Sequence, residues 1–212
     1  MKNIILYGAP SAGKGTMCEL LVSRLGYKHI SIGQVLRDQR SPETEIGRII
    51  IETQDKGVLT PDNIVAEALK AELQKYEGQP VVLDGYPRNV NQANTLDTMF
   101  NNYIVINIEV TKEAALERTL GRRNCPKCGR IYNIYTSIKP KQDNICDDCG
   151  CELEGRSDDN EASFEVRFNT YLANVKSVLD YYQAENNLYI IKSQDSKEEI
   201  YADIKNILDE QE

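Results

Sequence analysis

Short apolar runs alternate with longer amphipathic stretches along most of the chain. Five runs of four to eight residues are rich in Ile, Val, Leu and Tyr and are bounded by turn or polar residues: 3–8, 28–31, 81–85, 103–110 and 188–192. The stretches between them repeat apolar residues every three or four positions, as amphipathic helices do. This β/α alternation predicts an α/β fold with a five-stranded parallel sheet and helices on both faces.

Three sequence signals mark where helices begin or extend. Thr60 and Pro61 predict a cap followed by the first position of a helix. Ser196 and Glu199 have the spacing of a capping box and predict the start of the last helix. A stripe of apolar residues from about 160 to 183 predicts one long amphipathic helix.

Two segments interrupt the alternation. Residues 31–60 contain no strong strand, and residues 122–159, called here the cysteine segment, are polar, rich in cysteine and punctuated by Gly and Pro. Both are predicted to be inserts over the carboxyl edge of the sheet, where open α/β folds bind ligands. The predicted core therefore comprises residues 1–30, 61–121 and 160–212.

The charge balance limits the classes of partner. The 212 residues include 25 Lys and Arg against 33 Asp and Glu, a net charge of -8, which argues against nucleic-acid or membrane-surface binding by bulk electrostatics. No apolar run approaches the roughly 20 residues of a membrane helix, and the first strand leads straight into a glycine loop. We expect a cytoplasmic protein that folds alone and acts as a monomer.

The glycine loop follows the first predicted strand. Residues 8–15 read GAPSAGKG, are followed by Thr16, and fit the spacing G-x-x-x-x-G-K. Glycines allow the backbone to approach an anion, successive N–H groups and the helix N-terminus face it, and Lys14 can reach the outer phosphates. The sequence therefore predicts a phosphate-binding loop.

Asp84 supplies a carboxylate at the end of the third predicted strand. In a parallel sheet this position lies at the same edge as the glycine loop. Enzymes with such a loop hold Mg²⁺ or its water ligands with a carboxylate at this edge. Asp84 is therefore a candidate for organising Mg²⁺ beside the bound phosphates.

The cysteine segment has the spacing of a metal site. Cys125 and Cys128 are separated from Cys146 and Cys149 by 17 residues, and each pair has two residues between its members. Four thiolates fill the coordination of Zn²⁺, so this pattern predicts a structural rather than a catalytic metal. Cys151 breaks the two-residue spacing and is left out of the set. The sequence leaves the choice between zinc and iron open.

Three stretches carry a family resemblance: GAPSAGKGT, DGYPRNVNQA and EGRSDDNEASFEVR. They resemble the signature stretches of the nucleoside monophosphate kinases, and of the adenylate kinases in particular, over essentially the whole chain and in matching order. The resemblance implies a P-loop core, a nucleoside monophosphate (NMP)-binding insert at 31–60 and a zinc-bearing lid at 122–159. It also implies reversible transfer of the terminal phosphoryl group of Mg-ATP to AMP, which gives two ADP.

The same resemblance implies roles for individual residues. Charged residues around the transferred group would be catalytic: Lys14, Asp84, Arg88, Arg122, Arg156, Asp158, Asp159 and Arg167. Residues of the loop, the lid and the last connection would bind ATP: Ser11, Ala12, Gly13, Lys14, Gly15, Thr16, Arg118, Arg122, Ile131, Tyr132 and Gln194. A further set would bind AMP: Ile32, Arg37, Val58, Leu59, Thr60, Gly85, Tyr86, Pro87, Arg88, Gln92, Arg156 and Arg167. Within it, Arg37 and Arg88 would clamp the acceptor phosphate and Gln92 would read the acceptor base.

The chain departs from the family pattern at four positions. Ile32 and Gln34 stand where the family usually has Thr and Asp, which removes a hydroxyl and a carboxylate. Ser11 and Ser193 stand where glycine is frequent, and we expect serine to be tolerated at these positions if φ is negative there. His29, the only histidine, lies beside a predicted strand end and is expected to be structural.

Two alternative functions remain open from the sequence. The segment LRDQR, residues 36–40, also resembles the pyrimidine monophosphate kinases, so a UMP or CMP kinase is one alternative, although Gln92 favours adenine. The other is a zinc-ribbon module that binds a nucleotide as a switch without phosphoryl transfer. Only a kinase makes a diphosphate from a monophosphate.

Overall fold

The computed structural model describes residues 1–56, 58–156, 159–193 and 196–211. Within these ranges the strands are β1 (Asn3–Gly8), β2 (Lys28–Ser31), β3 (Val81–Asp84), β4 (Tyr103–Glu109), β5 (Arg122–Asn124), β6 (Ile131–Asn133) and β7 (Leu188–Lys192). The helices are α1 (Lys14–Leu25), α2 (Ile32–Asp38), α3 (Glu45–Asp55), α4 (Asp62–Gln74), α5 (Val90–Asp97), α6 (Lys112–Gly121), α7 (Glu161–Ala184) and α8 (Lys197–Asp209).

Five strands form one parallel sheet in the order β2-β3-β1-β4-β7. Each corresponds to one of the predicted apolar runs. The runs are mostly apolar because strands covered on both faces bury both sets of side chains. The predicted five-stranded parallel sheet is confirmed.

Helices cover both faces of the sheet. Ile5, Leu83 and Val105 contribute to a buried cluster with residues of α2, α3, α4, α5 and α7. Ile4 and Val82 point to the opposite face, where α1 and α8 pack. The alternation follows from the two-residue period of strand side chains.

One of the two predicted helix caps is wrong. Pro61 lies one position before α4, and the buried Thr60 hydroxyl pairs with the Thr53 hydroxyl at 3.1 Å instead of capping the helix. Ser196 is the N-cap residue of α8, so the predicted start of this helix is confirmed, but its side chain makes no capping hydrogen bond. The long predicted helix is confirmed as α7.

The cysteine segment is a small unit at the end of α6. Strands β5 and β6 form an antiparallel hairpin. Isolated antiparallel bridges pair Asn124 with Glu154 and Ile145 with Glu152. A small buried cluster lies inside it: Cys125, Tyr132, Cys146 and Leu153. Such a small cluster gives little hydrophobic stabilisation, so a unit of this size needs another constraint.

None of the helices in the described ranges combines the length and the apolar character that a membrane-spanning helix needs.

Candidate active site

Three strands of the sheet end side by side. The carboxyl ends of β1, β2 and β3 are adjacent, because Leu6 and Ser31 both lie in register with Asp84. The glycine loop follows β1, so it begins at the same edge as the Asp84 carboxylate. The structure thus brings together the two features that the sequence predicts for phosphate and metal binding.

The glycine loop turns directly into α1. Gly13 precedes the helix with φ 102°, a left-handed conformation that glycine adopts without strain. The Lys14 ammonium donates to the backbone oxygens of Gly8 at 2.6 Å and Ala9 at 3.1 Å, so it lies over the loop. Burial lowers the pKa of Lys14, and the nearby Asp84 carboxylate opposes that effect.

Ser11 has a φ of +60°, so the negative φ on which the sequence prediction of a tolerated serine depends does not hold at this position. The Thr119 hydroxyl donates to the Ala115 oxygen, which leaves Ser11 as the donor in its 2.8 Å contact with Thr119. This bond helps to hold a serine where the family usually has glycine.

Ser193, the other substituted glycine, connects the loop to α6. Its hydroxyl donates to the Ala12 oxygen at 3.1 Å and accepts from the Arg118 guanidinium. Arg118 is therefore held beside the glycine loop. Gln194, the next residue, lies outside the described residues.

A cavity of about 310 Å³ lies over the glycine loop. It is lined by all ten described members of the predicted ATP set: Ser11, Ala12, Gly13, Lys14, Gly15, Thr16, Arg118, Arg122, Ile131 and Tyr132. Five charged residues of the predicted catalytic set also line it: Lys14, Asp84, Arg122, Arg156 and Arg167. The core and the cysteine segment therefore enclose the cavity together.

Sequence reasoning missed several residues of this cavity. Three come from the cysteine segment, Asn133, Thr136 and Ile138, and two come from the start of α8, Lys197 and Ile200. Asn133 follows Tyr132 in β6, so extending the predicted contact along the strand would have found it. Nothing in the sequence places the start of α8 against the glycine loop.

Asp159 joins two arginines of the predicted catalytic set. The Arg122 Nε donates to one carboxylate oxygen at 2.7 Å, and the Arg167 guanidinium lies 3.3 Å from the other. The Asp159 side chain is 3 % exposed. Burial by itself raises the pKa of Asp159, but the two arginines outweigh it and hold that pKa below its usual value. Asp158 lies outside the described residues.

Asp84 is suited to a hard cation. Its carboxylate lines the cavity that also contains Thr16, and carboxylate and hydroxyl oxygens are ligands of the kind that Mg²⁺ prefers. His29, predicted to be structural, lies in β2 with its Nε2 4.0 Å from the Asp84 carboxylate.

The predicted AMP residues lie on the β3 side of the sheet edge. The Arg88 Nε donates to the Gly85 oxygen at 2.9 Å, and Tyr86 and Gln92 are buried beside them. The Tyr7 hydroxyl donates to the Pro87 oxygen at 2.6 Å, which fixes this turn to β1.

The remaining AMP candidates are more varied. Ile32 is buried in the main core, and its hydrocarbon side chain offers no hydrogen-bonding group to a ligand. Thr60 is buried and Leu59 half-buried, whereas Val58 is 56 % exposed in the connection between α3 and α4. Arg156 and Arg167 line the cavity described above.

Gln34 contacts Arg37 rather than a metal. Its Oε1 accepts from Arg37 at 3.2 and 2.8 Å, and its Nε2 donates to Asp38 at 2.6 Å. The residue that replaces the usual carboxylate thus orients the guanidinium of a predicted phosphate clamp.

The four predicted metal ligands are grouped. The sulphur atoms of Cys125, Cys128, Cys146 and Cys149 all lie within 4.8 Å of one another, and the closest pairs are 3.3 and 3.5 Å apart. Tetrahedral Zn²⁺ with bonds of about 2.3 Å requires sulphurs about 3.8 Å apart. The cluster therefore fits a four-thiolate metal site, and Cys151 is outside it.

Comparison with known proteins gives the family. A family model described as adenylate kinase matches residues 6–187. The chain is 41% identical to an adenylate kinase of Thermoanaerobacter sp. (strain X514) over 97% of both chains. It is 37% identical to the adenylate kinase of Kosmotoga olearia over 97% of this chain and 100% of the relative. It is 38% identical to the adenylate kinase of Bacillus licheniformis over 97% of this chain and 98% of the relative. The predicted resemblance is confirmed, and the chain belongs to the adenylate kinase family.

Proposed function

We propose that the chain catalyses reversible transfer of the terminal phosphoryl group of ATP to AMP, which yields two ADP. The observation that carries this proposal is one cavity at the carboxyl edge of the sheet. It combines a glycine loop, Lys14, the Asp84 carboxylate and four arginines. Phosphoryl transfer requires mainly positioning and charge stabilisation from the protein, and these groups supply both.

ATP would bind with its phosphates on the glycine loop. The N–H groups at the start of α1 face the phosphates, and Lys14 would exchange the carbonyl oxygens of Gly8 and Ala9 for phosphate oxygens. The donor base would lie against Arg118, Ile131, Tyr132 and Gln194. Ser193 supports this arrangement because it holds Arg118 beside the loop.

AMP would bind beside β3 and the segment 31–60, which forms the NMP-binding insert. Arg37 and Arg88 would clamp the acceptor phosphate, because a guanidinium can contact two phosphate oxygens at once. Gln92 would read the acceptor base. The other acceptor contacts would come from Ile32, Val58, Leu59, Thr60, Gly85, Tyr86, Pro87, Arg156 and Arg167.

Arg122, Arg156 and Arg167 would surround the transferring group when residues 122–159 close as a lid. Asp159 would keep Arg122 and Arg167 together, and Asp158 would fasten the lid with it. Asp84 and Thr16 would hold the Mg²⁺ that accompanies ATP and offsets the charge of its phosphates. A general base is not needed, because the attacking group is itself a phosphate anion.

The lid would owe its shape to a structural metal. Cys125, Cys128, Cys146 and Cys149 would bind Zn²⁺ with all four coordination positions filled, so the metal takes no part in phosphoryl transfer. A cytoplasmic location and a monomeric state complete the proposal and are carried by the sequence alone.

The test is ADP formation from Mg-ATP with AMP, CMP, UMP or GMP offered separately. We expect turnover with AMP, and a loss of about 100-fold or more in kcat for Lys14→Ala, as for other groups that stabilise transition-state charge. Lys70→Ala, at an exposed position of α4, is the matched control and should retain full activity. Preferred turnover with CMP or UMP would make the chain a pyrimidine nucleotide kinase, and no turnover would favour the binding module.

A further inference from the structure

The side-chain amide of Gln92 makes hydrogen bonds to one acceptor and to one donor. Its Nε2 donates to the Asp62 carboxylate at 2.7 Å, and its Oε1 accepts from the Arg88 backbone N–H at 2.7 Å. A carboxylate only accepts and a backbone N–H only donates, so these partners permit one orientation of the amide. Gln92 is 2 % exposed, which makes any alternative with unpaired groups costly.

The fixed amide leaves a defined pattern for a ligand. One lone pair of the oxygen and one N–H of the nitrogen remain after the two bonds are made. The Watson–Crick edge of adenine offers the complementary pattern, a donor at N6 and an acceptor at N1. Hypoxanthine and guanine offer the reverse pattern, an acceptor at O6 and a donor at N1. A base of the second kind would require the amide to turn over.

We infer that Asp62 is a positioning residue that selects adenine as the acceptor base by preventing the Gln92 amide from turning over. This inference rests on the proposed function, in which Gln92 reads the acceptor base. If the amide turned over, its oxygen would face the Asp62 carboxylate and its nitrogen would face the Arg88 N–H. Both contacts would be repulsive.

Asp62 is itself held in place. The Asn89 amide donates to both Asp62 oxygens, at 3.1 and 3.3 Å. Asn89 also accepts from the Gln92 backbone N–H at 2.8 Å and thereby caps α5. The carboxylate is thus fixed relative to the helix that carries Gln92.

A simpler role for Asp62 would be that of an acidic residue in the first turn of α4, where it favours the helix dipole. The contacts argue for more than this role. The Asp62 carboxylate accepts hydrogen bonds from Gln92 and Asn89, which belong to the neighbouring segment and not to α4. A dipole effect alone would not depend on the identity of the acceptor base.

The first test is Asp62→Asn, which keeps the shape of the side chain and removes the fixed acceptor. AMP and IMP are compared as acceptors, because they differ in the donor and acceptor pattern of this edge. We expect the ratio of kcat/KM for IMP to that for AMP to rise about tenfold, as for the loss of a hydrogen bond to a charged group. The KM for AMP should rise, and the KM for ATP should stay unchanged.

Glu113→Gln is the matched control, because Glu113 is also a first-turn acid, in α6. It should leave the IMP to AMP ratio unchanged. An equal fall in activity with AMP and IMP in Asp62→Asn would indicate a structural role and would overturn the inference. Inactivity of the wild-type protein with AMP would contradict the proposed function instead, so the two failures are distinguishable.

A second variant, Asp62→Ser, keeps the inference testable if Asp62→Asn does not fold. A serine hydroxyl can either donate or accept, so it permits both orientations of the Gln92 amide. We expect Asp62→Ser also to raise the ratio of kcat/KM for IMP to that for AMP, and an unchanged ratio would overturn the inference.

Discussion

Ser11 has a backbone conformation that serine rarely adopts. At φ +60° its Cβ is strained, at a cost of roughly 1 kcal/mol relative to glycine. Its bond to Thr119 contributes a similar amount, about 1 kcal/mol, in the opposite direction. We therefore expect Ser11→Gly to leave the free energy of unfolding nearly unchanged. Ser11→Ala keeps the strain and loses the bond, so it should destabilise the protein by about 1 kcal/mol.

Urea unfolding of the two variants beside the wild type measures this difference. Because both substitutions remove the same hydroxyl, the difference between them reports the backbone strain of alanine, less the greater entropy that glycine gives the unfolded chain. A higher midpoint for Ser11→Ala than for Ser11→Gly would contradict the left-handed conformation of Ser11.

Asp159 makes stability depend on pH. Its pKa is lowered in the folded state, so its stabilising contribution is complete above the ordinary carboxyl pKa and is lost as the pH falls through the lower folded value. We expect Asp159→Asn to cost about 2 kcal/mol at neutral pH, as for charge-assisted hydrogen bonds. The difference from wild type should shrink below about pH 4.

Unfolding by urea at a series of pH values tests this dependence. Asp180→Asn is the control, because Asp180 forms an exposed ion pair with Lys176 and should matter little at any pH. A difference for Asp159→Asn that stays constant into acid would show that the carboxylate is not stabilised by its arginines.

The site residues differ in how far the sequence could predict them. Lys14 and the glycines could be predicted from the sequence, because their spacing along the chain is what defines a phosphate-binding loop. The conformation of Ser11 and the bond between Asp62 and Gln92 are not readable, because each depends on a contact with a residue about 30 or more positions away. Such contacts exist only once the sheet has brought the segments together.

At the level of elements, the cysteine segment depends on its metal. Loss of one thiolate should release Zn²⁺, because a structural site of this kind needs all four ligands. We expect about one Zn²⁺ per chain in the wild type and in Cys151→Ser, and less than half of that in Cys146→Ser. Metal analysis of proteins purified without chelator measures these contents.

Cys151 is the matched control in this experiment, because it lies in the same segment but outside the cluster. Equal loss of zinc from Cys151→Ser and Cys146→Ser would show that the ligand set is wrong. An iron content in place of zinc would keep the four ligands and change the identity of the metal.

Strands were easier to predict than helix starts. The central strands β1, β3 and β4 are buried along most of their length, so their apolar composition is enough to find them. The start of α8 shows the limit, because Ser196 and Glu199 have the spacing of a capping box and yet Ser196 makes no capping bond. The spacing of two residues makes a capping hydrogen bond possible, but the local backbone conformation determines whether that bond forms.

At the scale of the whole molecule, an acidic chain binds polyanions through a local concentration of cations. The net charge is -8, yet Lys14, Arg118, Arg122, Arg156 and Arg167 line one cavity. Positive charge placed within a cavity is screened less by salt than charge on an open surface. The surface as a whole therefore need not attract nucleotides.

In the proposed function, the inserts at 31–60 and 122–159 would close over the nucleotides and exclude water. The phosphoryl group would then pass to AMP rather than to a water molecule. Transfer to AMP, as distinct from ATP hydrolysis, is therefore the central property of the proposed function.

Phosphorus NMR of a mixture of Mg-ATP, AMP and the protein tests this claim most directly, because it resolves all the products at once. We predict that two ADP form for each ATP and AMP consumed, without release of inorganic phosphate. Release of inorganic phosphate while AMP is unchanged would contradict it.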